Sequence, residues 1–334
     1  EMTAHLYESN VFGFGKSAGT SYTRARSGDS WSASYADPRL WRSPWTARAS
    51  FTRSPYGNYT TVGLVRPFRS TTARFAHGGH VGYFTGDQTF YRPDGSARTL
   101  QRRWLDAGMW TARAWGPTRM RRKATGRLGI NHVHAPRDAD GLTGDFETRF
   151  KTIYEFALEG FARHHRRRNL DDFGVTEDIR EGWRASVGLG PALLTGPVSS
   201  AYGRAEASVQ WTDVAGDRIT VVSANYGSRL AEDSGPGRSA WSHLVTRAWI
   251  HHYYTGLPAQ TLAASLNWYG GWRTDRSYWV GLGGSNGLRG YGAYQYGGTR
   301  RLLMNVEDRV VLPARLLTLG FGVVGFFDAG YVWN

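Results

Sequence analysis

The stretch RFKTIYEFALEGFAR, residues 149–163, alternates between two kinds of side chain. The even positions are mostly apolar or aromatic and the odd positions include most of the charges; the even set is Phe150, Thr152, Tyr154, Phe156, Leu158 and Gly160, and the charged set is Arg149, Lys151, Glu155, Glu159 and Arg163. Successive side chains of a β-strand point to opposite faces, so this period of two predicts a strand with one apolar and one charged face.

The same alternation recurs along the chain, at 202–212, 261–269, 302–312 and 319–331. These strands are about 10–14 residues long, whereas a membrane-crossing strand needs about 9–11 and a soluble sandwich strand is commonly about 5–6. Their polar faces mix arginine and glutamate with small residues, which suits the wet interior of a barrel. Aromatic pairs near strand ends, such as Trp268 with Trp272 and Tyr253 with Tyr254, are typical of interfacial girdles.

The pattern predicts sixteen strands joined by short turns and longer loops. The turns are 40–45, 116–118 and 256–260, and the loops are 86–100, 136–146, 229–238 and 274–298. The strands are 1–9, 16–26, 30–37, 45–54, 58–67, 72–84, 102–114, 120–134, 149–163, 182–193, 201–212, 218–229, 240–254, 260–272, 301–312 and 317–333.

Composition excludes several classes of protein. The 334 residues include 41 Lys and Arg against 27 Asp and Glu, a formal net charge of +14, and no Cys. The absence of Cys excludes disulfide scaffolds, iron–sulfur centres and cysteine nucleophiles. A hydrophobic fraction of 40% with 14% aromatic residues is too high for a disordered chain. The mean hydropathy of −0.47 is that of a soluble protein, yet a transmembrane barrel hides its apolar band in such an average.

A more specific signal lies near the end of the chain. Residues 283–291 read GGSNGLRGY, the next predicted strand contains Glu307 and Arg309, and the strand after it contains FFDAGYVW at 326–333. By parity Glu307 and Asp328 lie on the polar face of their strands. A carboxylate in a barrel lumen needs a cation, and a guanidinium can bind two carboxylates with its planar fork.

These three elements, in this order, resemble the membrane domain of the BamA/TamA superfamily, the bacterial surface antigen barrel. The resemblance implies that the tetrad Leu288, Arg289, Gly290 and Tyr291 lies on a loop folded into the lumen. Glu307 and Asp328 would be its acidic partners on the wall, and the supporting residues would be Gly287, Arg309, Phe327 and Gly330. Tyr291 is expected to wedge beside the strand glycines 320, 322 and 330. The contrary interpretation is that Arg289 is an ordinary exposed loop residue.

A second match lies near the start of the chain. Residues 10–15, NVFGFG, resemble an N-x-(F/L)-G-x-G turn of the family, and residues 35–38, YADP, resemble the Y-x-D-P that follows two strands later. The middle, roughly 70–255, matches only as generic barrel.

The resemblance implies an all-β, transmembrane antiparallel β-barrel of about sixteen strands in the bacterial outer membrane of a Gram-negative cell. The chain, 1–334, is then one barrel domain, incomplete at both ends and lacking its first and last strands, with POTRA repeats expected upstream and absent from this sequence. Since the family has further strands after the tetrad, the sixteen predicted strands indicate that the middle (149–229) is divided too finely or that the barrel is larger.

The implied function is insertion and assembly of other barrel proteins, by strand templating at a barrel seam. It involves no enzymatic chemistry, no cofactor and no metal. The implied partners are unfolded outer-membrane proteins or a secreted polypeptide, the lipid bilayer with its lipopolysaccharide, and periplasmic accessory proteins, with no nucleic acid.

Three alternatives stay open: a polypeptide translocation pore of the two-partner-secretion or TamA-like kind, a passive porin and a soluble all-β binding protein. Two basic runs, 119–123 and 163–168, suit membrane interfaces facing anionic head groups or lipopolysaccharide phosphates better than nucleic acid. The acidic stretch NLDDFGVTED, 169–178, is turn-like and lacks the EF-hand spacing for calcium.

Overall fold

The computed structural model describes residues 2–25, 28–70, 72–91, 97–134, 146–171, 175–195, 200–230, 241–274, 278–292, 294–316 and 319–334. Within these ranges the protein is almost entirely β-strand, with two short 3-10 turns at Leu40–Arg42 and Gly284–Asn286. No helix formed by these residues is long and apolar enough to cross a bilayer.

Sixteen strands form one sheet and two short strands form a separate pair. The strands, in chain order, are β1 (Met2–Val11), β2 (Lys16–Ala25), β3 (Gly28–Asp37), β4 (Thr46–Ser54), β5 (Gly57–Arg66), β6 (Phe75–Tyr91), β7 (Ala97–Trp115), β8 (Met120–His134), β9 (Phe146–Arg168), β10 (Thr176–Thr195), β11 (Ser200–Ala215), β12 (Arg218–Leu230), β13 (Trp241–Leu257), β14 (Gln260–Trp272), β15 (Val280–Leu282), β16 (Tyr296–Gly298), β17 (Arg300–Leu316) and β18 (Leu319–Trp333).

The predicted all-β fold with an antiparallel sheet of about sixteen strands is confirmed. Each strand of the large sheet pairs with its neighbours in sequence, and β17 follows β14 because β15 and β16 pair with each other. Every predicted strand corresponds to one strand of this sheet, and residues 149–229 form four separate strands rather than fewer. The sheet therefore contains sixteen strands, and the predicted number did not arise from dividing the middle of the chain into too many strands.

The sheet has two edges. Within the part of the chain that the structure describes, β1 is hydrogen-bonded only to β2, and β18 only to β17. No closing ladder joins β1 to β18 among these residues. The backbone N–H and C=O groups along the outer side of each edge strand are therefore available for another strand.

The two faces of the sheet differ as the period of two predicts. We call the face on which residues 278–292 pack the inner face, and the opposite one the outer face. On β9 the inward Glu159 is 4% exposed. On the outer face Tyr154 and Val187 are 67% and 60% exposed. An apolar outer face of this kind needs lipid or another apolar surface to cover it.

The two ends of the sheet also differ. Because consecutive strands are antiparallel, the turns that follow β1 and β9 lie at one end, the turn end, and residues 273–299 lie at the other, the loop end. At the turn end Gly13 and Gly15 have φ of 75° and 67°, and the Gly15 N–H donates to Asn10 Oδ1 at 2.7 Å. The NVFGFG stretch is thus the tight turn between β1 and β2.

One detail of the predicted connections is wrong. The segment 86–100 was expected to be a loop, but β6 continues to Tyr91 and β7 begins at Ala97, because both strands extend beyond the rest of the sheet and pair with each other. Most of the predicted loops 136–146 and 229–238 lies outside the described residues.

The aromatic pairs near strand ends separate into two groups. Trp333 contacts both Trp268 and Tyr331 on the outer face near the loop end, with ring centroids 5.5 and 5.4 Å apart. Tyr253, in contrast, is 8% exposed and lies on the inner face, so its interpretation as a girdle residue is wrong. It packs against Ile219 of the neighbouring strand.

Close strand contact at Gly190 of β10 allows a direct test of this packing. A Cβ atom at Gly190 would overlap the carbonyl oxygen of Thr152, whereas one at Gly126 of β8 would be 4.0 Å from its nearest neighbour, Tyr154. We expect Gly190→Ala to lower the free energy of unfolding by about 1–3 kcal/mol through overpacking. Urea titration in detergent micelles, followed by tryptophan fluorescence, measures it. The matched control Gly126→Ala should leave stability nearly unchanged, and equal effects of the two variants would contradict the register of β9 and β10.

Candidate functional site

The site is built on the segment between β14 and β17, which turns back onto the inner face. Its base is the pairing of β15 with β16, in which Val280 lies opposite Gly298. Between them Asn286 closes a tight turn, accepting a hydrogen bond from the Gly283 N–H at 2.7 Å and donating to the Gly281 carbonyl at 2.5 Å. This turn directs the following residues toward β17 and β18.

Leu288 anchors the segment in the sheet. It is 6% exposed and belongs to a buried apolar cluster with Leu282 and Leu303, against which Val332 packs. Leu282 fills the space beside Gly330, where a Cβ atom would lie 2.7 Å from the Leu282 Cδ2 atom. Burial of these leucine side chains contributes about 1.5–3 kcal/mol each relative to exposure.

Arg289 reaches the wall beside this cluster and binds both predicted acids. Its Nε donates to Asp328 Oδ2 at 2.8 Å and its Nη2 to Asp328 Oδ1 at 2.6 Å, so the guanidinium grips that carboxylate with two parallel bonds. Its Nη1 donates to Glu307 Oε1 at 2.6 Å. The Arg289 backbone N–H also donates to Asp328 Oδ2, at 3.0 Å.

Asp328 is the most buried partner in this network. Its side chain is 3% exposed, against 18% for Glu307 and 33% for Arg289. The side-chain amide of Asn305 donates to Asp328 Oδ1 at 2.7 Å and to the Gly287 carbonyl at 2.6 Å, which ties loop backbone and wall together. A carboxylate this buried is tolerated only when its oxygens are satisfied by charged or polar donors.

The remaining face of the guanidinium lies on an aromatic ring. The Arg289 Cζ atom is 3.8 Å from the centroid of the Phe326 ring, a cation–π contact. Hydrogen bonding to Asp328 raises the pKa of Arg289 above its already high ordinary value, so the residue stays charged at any pH at which the protein is folded. The arrangement holds a loop in place.

The residues predicted to support the tetrad lie in different surroundings. Gly287 and Gly290 have φ of 108° and 87°, a region that favours glycine, and a Cβ atom at Gly287 would be 2.7 Å from Leu303. Arg309 Nε donates to Glu307 Oε2 at 2.7 Å. Phe327 is 60% exposed and lies on the outer face, opposite to the loop.

Tyr291 does not occupy the space beside Gly330, so the expected wedge is wrong at that glycine. Its ring is 50% exposed and lies edge-on to Tyr296, with centroids 5.9 Å apart. Leu282 occupies the room beside Gly330 instead.

Two members of the network were missed in the sequence. Asn305 shares the inward parity of Glu307, and Phe326 shares that of Asp328, so the period of two could have identified both. Among the described residues no group of three His, Cys, Asp or Glu side chains is arranged to hold a metal ion.

Comparisons with known proteins add a likeness of fold. The sequence matches no protein-family model and no curated protein. Among solved structures the chain is similar to the crystal structure of BamA from Haemophilus ducreyi lacking POTRA domains 1–3. The TM-score is 0.46 at 9% identity, and the alignment covers 99% of this chain and 71% of that one. A likeness of this degree carries no information about activity.

The two acids should differ in their contribution to stability. We expect Asp328→Asn to lower the free energy of unfolding by about 3–5 kcal/mol, because it breaks the two-bond ion pair with Arg289 at a buried position. Glu307→Gln should cost less, about 1–3 kcal/mol, because that site is more hydrated. Denaturant unfolding in micelles measures both. The control is Asp178→Asn, whose exposed pair with Arg166 should contribute under ~1 kcal/mol; a larger effect of Glu307→Gln than of Asp328→Asn would contradict the assignment.

Proposed function

We propose that this protein is an outer-membrane β-barrel assembly factor, which inserts and folds other barrel proteins at the gap between its own edge strands. The observation that carries the proposal is that no described residue pairs the edge strands β1 and β18 with each other, while Arg289 braces β18 from the inside. The sequence resemblance to the BamA/TamA superfamily agrees with it.

Strand templating follows from the cost of unpaired backbone groups. A strand entering the hydrocarbon region loses several kcal/mol for each N–H or C=O group that finds no partner. An edge strand offers a row of such partners, so an incoming strand can pair before it meets lipid. The first strand of the incoming protein would then become the edge for its second, and the process repeats without any covalent step.

The brace gives β18 the rigidity that a template requires. Asp328 lies on β18 and Glu307 on β17, and Arg289 holds both carboxylates from the inner face. The loop therefore clamps the last two strands together. A clamped edge keeps its hydrogen-bonding groups in register while a second chain pairs with them.

The surfaces of the sheet suit a membrane environment for this role. The outer face is apolar and carries the aromatic cluster of Trp268, Trp333 and Tyr331 near the loop end. The two basic runs, 119–123 and 163–168, both lie at the turn end. We propose that lipid head groups, lipopolysaccharide, unfolded outer-membrane proteins and periplasmic accessory proteins are the partners, and that no cofactor or enzymatic step is involved.

The brace can be tested through assembly activity. In proteoliposomes containing the purified chain, we expect Arg289→Ala to slow the folding of an added small barrel protein at least tenfold, because β18 loses its clamp. The folding rate with Arg289→Lys should lie between those with the native protein and with Arg289→Ala, since an ammonium keeps the charge and lacks the planar fork. Heat-modifiable gel mobility of the added protein measures the rate. The control Arg166→Ala removes an exposed ion pair and should have no effect; an unchanged rate in Arg289→Ala would overturn the bracing role.

Polypeptide translocation is a second candidate, favoured by the charged inner face of β8–β10. Ion pairs connect these strands there, with Lys123 and Glu159 at 2.5 Å and Arg127 and Glu155 at 2.9 Å. A wet, charged wall suits the passage of an extended chain. Planar-bilayer recording distinguishes the candidates: a translocation pore should show conductance that a dedicated substrate blocks, a passive porin should show steady conductance, and an assembly factor should change the folding rate whether or not it conducts.

A further inference from the structure

A second segment enters the interior from the turn end. After β9 the chain leaves the sheet at Asn169, and Leu170 lies on the inner face with 3% of its surface exposed. It packs in a buried cluster with Ile219, Tyr253 and Ala263, which belong to β12, β13 and β14. The turn thus crosses the inner wall from its own strand to strands that are distant in the order of the sheet.

Polar contacts fix the turn on both sides of this anchor. The Tyr253 hydroxyl donates to Asp171 Oδ1 at 2.7 Å. Arg309 Nη1 donates to the Leu170 carbonyl oxygen and lies 3.9 Å from the Asp171 carboxylate. Arg309 and Leu170 are 139 positions apart in the chain.

Arg309 faces the loop with its other nitrogens. Its Nε and Nη2 each lie 2.7 Å from Glu307 Oε2, while Glu307 Oε1 accepts from Arg289. One guanidinium therefore connects the turn from one end of the sheet to the carboxylate that binds the loop from the other end. Its side chain is 19% exposed, so the connection is partly sheltered from water.

We propose that the turn of residues 169–171 and Arg309 are positioning elements for the Arg289 site, an assignment that rests on the proposed function of that site. The turn pins Arg309, Arg309 orients Glu307, and Glu307 is thereby aimed at the Arg289 guanidinium. Without Arg309, Glu307 would bind Arg289 less firmly, because holding a partly exposed carboxylate on a flexible side chain in one geometry costs rotamer entropy. The binding of the Arg289 loop to the wall and the position of the turn of residues 169–171 are consequently coupled across the interior.

The absence of native cysteine allows the seating of the loop to be measured directly. A Leu288→Cys reporter places one thiol in the buried cluster, where it should react slowly with a maleimide in detergent micelles. We expect Leu170→Ala and Arg309→Ala each to raise that labelling rate at least tenfold, and Arg309→Lys, which keeps charge and a donor, to raise it less. Arg289→Ala is the positive control and Arg166→Ala the exposed-pair control.

A second reporter separates local release from general loosening. Ala112→Cys lies in β7, far along the strand order, and Ala112 is 5% exposed. Acceleration at Leu288→Cys with an unchanged rate at Ala112→Cys supports the positioning role. Equal acceleration at both reporters, or none at Leu288→Cys in the turn variants while Arg289→Ala accelerates it, overturns that role. Failure of the proposed function is distinct, because it appears as an unchanged assembly rate in Arg289→Ala although the loop is released.

Discussion

The buried carboxylate of Asp328 is the constraint on which the interior depends. It lies on the last strand, almost sealed from water, and an isolated charge there would cost several kcal/mol. The structure satisfies it with the fork and backbone N–H of Arg289 and the amide of Asn305. Because Arg289 comes from a loop, meeting this one requirement brings the residues around it, 283–291, onto the inner face.

The consequences of this bond extend to both ends of the sheet. At the loop end Leu288, the neighbour of Arg289, packs in the buried leucine cluster. At the turn end Glu307 shares its second oxygen with Arg309, which holds the Leu170 carbonyl. The edge strand β18 is therefore supported from within by groups drawn from three distant parts of the chain.

How far the site could be predicted depends on the range of each contact. The positions of Glu307 and Asp328 on the inner face follow from the period of two, and the same parity applies to Asn305 and Phe326. The expected place of Tyr291 beside Gly330 was wrong because Leu282 takes that space. Tyr253 also follows its parity to the inner face, although its position near a strand end indicated an interfacial aromatic.

By itself the sequence determined the strands, their two faces and the order of the motif elements, because these depend on local alternation and on turn residues between neighbouring strands. Only the tertiary structure decided that β1 and β18 are not paired with each other among the described residues, and that Leu170 reaches Arg309. Contacts between residues 139 positions apart leave no local periodicity in the chain. They arise when a curved inner wall brings two inward segments to the same pair of charged groups.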